Sequence, residues 1–198
     1  MRSLFDFVVS PDGSRYKNSV KVGDKDLILN TEVFNHQYIN REAVVLESPI
    51  GIKTKVKKGD KLIVHHNVFR RWHNMKGIEK NSRSFMSEDE YLVSTDQIFL
   101  YKNKGANEWR AMDGYCFVQP IKSIDNFDTD TEKPLVGVVK HTDGTFSNGE
   151  LVGFSPGDEY EFVIGGKRLY RVMTKYINIK YEYKGDEEEY NPSWAHSS

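Results

Sequence analysis

Apolar residues along this chain come in short runs, and each run stops at a cluster of Gly, Pro, Asp or Asn. That punctuation predicts strands, because a helix would repeat its apolar positions at three- and four-residue spacing over a longer stretch. The first run, Phe5-Asp-Phe-Val-Val9, stops at Ser10-Pro-Asp-Gly13, where Pro presets φ and Gly tolerates a positive one. Strands resume at Ala43-Val-Val-Leu46; the turn Lys57-Lys-Gly-Asp60 leads into Leu62-Ile-Val-His-His66; and Tyr91-Leu-Val93 with Gln97-Ile-Phe-Leu100 closes the group. Between the first two strands lies a long polar segment, residues 14–40, interrupted by one aliphatic triplet, Leu27-Ile28-Leu29. A compact domain rarely keeps so long a connection without a use for it. A second insertion, residues 68–90, is basic at first and then acidic.

After Lys102-Asn-Lys-Gly-Ala-Asn107, which reads as a linker, the pattern restarts. Gly114-Tyr-Cys-Phe-Val118 ends before Pro120 as Phe5–Val9 ends before Pro11, and Leu135-Val-Gly-Val-Val139 repeats the short run of Ala43–Leu46. Ser155-Pro-Gly-Asp158 followed by Tyr160-Glu-Phe-Val-Ile164 parallels the Gly59-Asp60 turn and Leu62–His65. The closest pairing sets Tyr91-Leu-Val-Ser-Thr-Asp-Gln-Ile-Phe-Leu100 against Tyr170-Arg-Val-Met-Thr-Lys-Tyr-Ile-Asn-Ile179, with Tyr, Val, Thr and Ile at the same spacing. Four elements in one order predict two homologous small β domains, 1–104 and 105–185, with an acidic tail, 186–198, and with insertions placed where loops tolerate them.

Composition agrees with the pattern. The 198 residues include 4 Ala and 10 Leu against 18 Val, 12 Ile, 11 Tyr and 11 Phe, an apolar content suited to a pleated surface and poor in helix formers. The expected class is all-β. With 28 Lys+Arg against 29 Asp+Glu, neither bulk nucleic acid nor an anionic membrane is expected as the main partner. Cys116 is the one cysteine, so no internal disulfide is possible and a reducing cytoplasm is the simpler setting. No apolar run approaches the ~18 residues of a membrane span, and Asp6 comes too early for a signal peptide.

Candidate chemistry is sparse. Phosphate-loop, nucleophile-elbow and His-Glu-x-x-His motifs are absent from the sequence, and Cys116 sits within an apolar strand where a small buried residue is expected. The carboxylates of Asp125–Glu132 and Asp186–Glu189 read as solvated loop and tail. An enzyme is therefore not expected. His36, His65, His66 and His73 are of a metal-ligating type, but neighbours on a strand point to opposite faces, and no metal site is expected. The run Phe69-Arg-Arg-Trp-His-Asn-Met-Lys76 offers Arg70, Arg71, Trp72 and Lys76 as a nucleic-acid contact. The favoured reading packs Phe69 and Trp72 against the domain and leaves Arg70 and Arg71 in solvent.

Arg41-Glu-Ala-Val-Val-Leu46, Val56-Lys-Lys-Gly-Asp-Lys-Leu-Ile-Val64 and Glu90-Tyr-Leu-Val-Ser-Thr-Asp-Gln-Ile-Phe-Leu100 occur in an order that resembles the GroES-type co-chaperonins. The second half resembles the same family through Gly157-Asp158 and Tyr170–Ile179. The resemblance implies two tandem GroES-like β-barrels and a non-enzymatic cap for a GroEL-type chaperonin ring. Segment 14–40 would be the mobile loop, docking Leu27, Ile28 and Leu29 on the chaperonin. Gln97, Ile98, Phe99 and Leu100 would form the strand that contacts the next subunit of a ring, seven-membered in the family, and residues 141–150 would be the hairpin that roofs the dome. The chain would bind no cofactor; ATP would belong to the chaperonin. The divergence of the loops is similar to that of phage-encoded members, which would place the protein in a host cytoplasm. The alternative is a small-barrel binding module for nucleic acid or a viral structural assembly.

Overall fold

A computed structural model of the chain describes residues 2–17, 19–28, 38–123, 131–157, 159–182, 185 and 187–197. Leu29, His36, Asp158, Asp186 and most of the acidic segment 125–132 lie outside these. The chain divides into two compact units, Met1–Glu108 and Trp109–Ser198, so the boundary falls just past the linker.

The first unit holds β1 (Phe7–Pro11), β2 (Ser19–Val22), β3 (Lys25–Ile28), β4 (Glu42–Glu47) and β5 (Lys61–Val64). It continues with β6 (Arg71–His73), β7 (Glu79–Asn81), β8 (Phe85–Ser87), β9 (Glu90–Val93) and β10 (Ile98–Lys102). The second unit holds β11 (Arg110–Ala111), β12 (Tyr115–Lys122), β13 (Glu132–Thr142), β14 (Leu151–Phe154), β15 (Tyr160–Ile164), β16 (Lys167–Met173) and β17 (Ile177–Tyr181). The fold is all-β, with antiparallel pairing throughout these ladders.

Both units repeat one six-strand sheet. The first runs β10-β5-β4-β1-β9-β8 and the second β17-β14-β13-β12-β16-β15. Register repeats with the order. Val9 faces Val45 and Tyr91, and Val118 faces Val139 and Tyr170. Ala43 faces Leu62 as Gly137 faces Val152. A bulge interrupts β1 between Val8 and Val9 and β12 between Phe117 and Val118. Each closing strand follows a single 3-10 turn, Thr95–Gln97 or Thr174–Tyr176, whose first carbonyl accepts from Ile98 N–H or Ile177 N–H. Equivalent positions build equivalent cores: Phe7, Val9, Val45, Leu62 and Val93 are buried in the first unit, and Cys116, Val118, Val139, Val152 and Val172 in the second. Burial of each large side chain contributes about 1.5–3 kcal/mol.

This register corrects one sequence pairing. The counterpart of Leu62–Val64 is Val152–Phe154, and Tyr160–Ile164 occupies the place of β8. Accordingly the turn equivalent to Lys57–Asp60 is Ser147–Glu150. Gly59 N–H donates to Val45 O and Gly149 N–H to Val139 O, both at 2.8 Å, while Val45 N–H donates to Asp60 O and Val139 N–H to Glu150 O, both at 2.9 Å. Both glycines hold φ near +90°, at +86° and +90°, where a Cβ is disfavoured. Gly157 shares the left-handed φ, at +92°, but lies in the connection from β14 to β15. The left-handed glycine is common to the two equivalent turns, whereas the acid after it differs in role: buried Asp60 accepts from Lys57 N–H, Asn103 Nδ2 and Lys104 N–H, and Glu150 pairs with Lys180.

Among the described residues no ladder joins β10 to β8 or β17 to β15, so the pairings form antiparallel sheets and do not close into barrels. Within 141–150, His141 and Thr142 end β13, and residues 143–150 connect it through turns and bends to β14, with which β13 pairs antiparallel. Nor is the acidic tail solvated throughout. Lys122 N–H donates to Glu188 O and Tyr190 N–H to Pro120 O, each at 2.8 Å, which lays the tail along β12. Lys122 pairs with Glu188 at 2.6 Å, Lys140 pairs with Glu189, and Ala195 is fully buried. Partner lysines on the adjacent strands relieve the self-repulsion that the sequence alone suggests.

Candidate partner-docking site

The two long insertions of the first unit share a base. Segment 14–40 leaves the sheet through an antiparallel bridge, Tyr16 to Ile39, flanked by Lys17 N–H to Tyr38 O at 2.7 Å and Asn40 N–H to Arg15 O at 2.9 Å. Asn40 is buried and fully engaged. Its Nδ2 donates to Asp12 O at 3.0 Å and Ser14 O at 2.9 Å, and its Oδ1 accepts from Glu42 N–H at 3.0 Å. A buried side-chain amide satisfied in this way ties both legs of the loop together.

Beyond that stem the loop forms the β2–β3 hairpin, turning at Gly23-Asp24 with Gly23 at φ +63°. Leu27 lies on β3 and is 56 % exposed. Ile28 ends β3, and Leu29 is outside the described residues. Of the triplet, Leu27 and Ile28 thus lie at the end of β3 away from the Gly23-Asp24 turn. Val20 opposite Leu27 and Val22 opposite Lys25 supply the β-branched residues that favour pairing.

Segment 68–90 forms a second hairpin, β6–β7, and then β8. Phe69 is fully buried and meets Tyr91 edge-on at 4.8 Å. Burial also pushes the Tyr91 hydroxyl up to about 12. Trp72 behaves otherwise. It stands 41 % exposed on β6 opposite Lys80, so the expected packing holds for Phe69 and fails for Trp72. The strand alternation explains the split, because Arg71 takes the inward face. Its guanidinium lies 5.0 Å from the Tyr16 ring and 3.4 Å from Glu79, and the Arg71 backbone N–H donates to Tyr16 Oη at 2.8 Å. The turn is built by Asn74, whose Oδ1 accepts from Lys76 N–H and Ile78 N–H, and by Gly77 at φ +72°. Met75 and Ile78 project from it into solvent.

Arg15 connects the two hairpins. Its guanidinium donates to Asn81 Oδ1 at 2.9 Å and Phe69 O at 3.1 Å and lies over the Tyr91 and Phe85 rings. Arg15 and Tyr16 carried no signal in the sequence beyond their type, since the contacts that give them a role span more than fifty positions.

The remaining candidates separate. Ile98, Phe99 and Leu100 are buried and β10 pairs with β5, while Gln97 ends the 3-10 turn and accepts from His65 N–H at 2.9 Å. The equivalent strand β17 is largely exposed, with Ile179 and Tyr181 open to solvent. His65 and His66 follow β5 instead of lying on it, so their rings stack at 4.2 Å and do not point to opposite faces. Among the described residues no group of three or more His, Cys, Asp or Glu is placed to hold a metal ion. Burial drives the Cys116 thiol up to about 12, which leaves it a poor nucleophile. Asp143 lines a cavity of about 530 Å³ with Tyr115, Thr145, Thr174 and Lys175. It accepts from Gly114 N–H at 2.8 Å, Thr145 N–H at 2.9 Å and Thr174 Oγ1 at 3.3 Å, bonds that hold its own turn. Among the described residues no helix is long and apolar enough to cross a membrane.

No protein-family model matches the chain, and neither the curated proteins nor the solved structures compared with it give a match. Function is therefore argued from the site.

Proposed function

We propose that this protein is a non-enzymatic co-chaperonin, built from a tandem duplication, that docks on a chaperonin ring through the β2–β3 hairpin of its first unit. The observation that carries the reading is the repeated six-strand sheet with one long loop grafted on the first copy alone. That loop has a stem fixed by Asn40 and a hairpin whose second strand carries Leu27 in solvent. Such a hairpin suits reversible docking. Two or three aliphatic side chains gain about 1.5–3 kcal/mol each on burial, and ordering the tether costs several, so a single loop binds weakly. Several chains in one ring then raise affinity through effective concentration. Self-association is supported by the open strand β17 with Ile179 and Tyr181, and by an apolar surface of Leu4, Phe5, Ile50 and Ile52 near the start of the first sheet. Unpaired edges with apolar side chains are suited to strand addition. In this reading ATP belongs to the partner, and this chain supplies contacts and enclosure.

The experiment is chaperonin-dependent refolding of a stringent client with wild type and with Leu27→Ser/Ile28→Ser. The wild type should restore refolding and the variant should lose most of it; Leu27→Ser alone should leave stability unchanged to within about 0.5 kcal/mol, as for exposed positions generally. A wild type that neither binds the ring with nucleotide present nor assists refolding overturns the reading.

A further inference from the structure

The β6–β7 hairpin has no counterpart in the second unit, where the equivalent connection from β14 to β15 spans only residues 155–159. Its tip is apolar and exposed, with Trp72, Met75 and Ile78 outside any core. From Phe69 to Arg83 it carries Arg70, Arg71, Lys76, Lys80 and Arg83 against a single carboxylate, Glu79. It is also held firmly. Phe69 is its buried anchor, Ser82 Oγ donates to Val68 O at 2.6 Å across its base, and Arg15 and Tyr16 join that base to the stem of the 14–40 loop.

We infer that the β6–β7 tip is a second docking element for the protein that receives the β2–β3 hairpin, entering an apolar pocket rimmed by carboxylates. This rests on the co-chaperonin reading. Two observations select that occupant. The shared base at Arg15 and Tyr16 roots the two insertions side by side, so a partner that engages one of them approaches the other. The excess of cations around an apolar tip is complementary to an acidic rim, which contributes specificity and association rate. One chain then makes two linked contacts, both from its first unit. Linkage makes the pair tighter than either alone.

The test measures binding of the full chain to a purified GroEL-type ring with nucleotide, for wild type, Leu27→Ser/Ile28→Ser, Met75→Ser/Ile78→Ser and the four-site combination. Met75→Ser/Ile78→Ser should weaken binding about tenfold or more, and the combination should abolish it. Raising salt should weaken the wild type more steeply than Lys76→Gln/Lys80→Gln. The thermal midpoint of Met75→Ser/Ile78→Ser should not move, because both side chains are exposed; Met75→Gln, with nearly the same volume, provides a second variant. Wild-type affinity in Met75→Ser/Ile78→Ser, with loss in Leu27→Ser/Ile28→Ser, overturns this inference and leaves the co-chaperonin reading standing. No binding by the wild type overturns both. Unchanged ring binding together with loss of a single-stranded oligonucleotide probe in Trp72→Ala makes the hairpin a nucleic-acid contact and overturns it as well.

Discussion

The two units share a sheet and differ in nearly everything attached to it. In the first, the connections after β1 and β5 are long and carry hairpins with solvent-exposed apolar side chains. In the second, the connection after β14 is short, and the C-terminal segment lies against β12 with its acids paired to Lys122 and Lys140. The comparison separates what the frame requires from what function has added. Buried positions, bulges and the two left-handed glycines recur at matched register because a one-residue slip would turn every side chain to the wrong face. The connections meet no such constraint, so partner contacts concentrate there.

The largest expected effect comes from removing an anchor that only the first unit has. Phe69→Ala deletes a fully buried ring against Tyr91 and should destabilise the first unit by about 3–5 kcal/mol. Hydrogen exchange should show faster opening in residues 7–102 and unchanged protection in β12 to β17; equal loss in both units would show that the anchor serves the whole chain. A smaller effect tests how far the two copies can be interchanged. Ala43 in the first unit corresponds to Gly137 in the second, where a Cβ would lie 2.6 Å from Gln119 O. Gly137→Ala should therefore destabilise the second unit by about 1–3 kcal/mol, while Ala43→Gly costs the first roughly 1 kcal/mol in backbone entropy. Chemical denaturation of the two variants checks the asymmetry, and equal costs would remove it.

The smallest effect is a pH dependence confined to the second unit's β13–β14 connection. Burial pushes the Asp143 carboxyl up, but hydrogen bonds from Thr145, Gly114 and Thr174 outweigh it and leave its pKa below the usual 3.8. A carboxylate lowered in the folded state contributes stability that is fully present above the unfolded value and is lost as pH falls through the folded one. Asp143→Asn should thus lower the thermal midpoint at neutral pH and leave little difference from wild type at pH near 2. A gap that persists at that pH would trace the loss to packing and not to charge.

Legibility followed the range of the interactions involved. The strands Phe7–Pro11, Glu42–Glu47, Lys61–Val64 and Glu90–Val93 could be read from local alternation, and the closing Tyr-x-Val-x-Thr runs fell at equivalent positions. The pairing of Tyr160–Ile164 with Leu62–His65 failed for a local reason. Leu151-Val-Gly-Phe154 contains Gly153, which weakens it as a strand to the eye, yet that glycine makes room for the Tyr181 ring, 3.2 Å from where its Cβ would be. Trp72 was misplaced because hydrophobicity predicts burial on average, while the face it takes depends on Arg71 meeting Tyr16 across the fold.

The amino-acid pattern by itself determined the all-β class, the restart of the pattern after the linker and the apolar runs of the central strands, because alternation and turn chemistry act between neighbours. Tertiary structure alone decided which strands are equivalent, that both insertions grow from one base, and which apolar side chains stay in solvent. Those outcomes depend on contacts such as Arg15 with Asn81 and Lys122 with Glu188, formed between residues whose separation in sequence leaves no local trace.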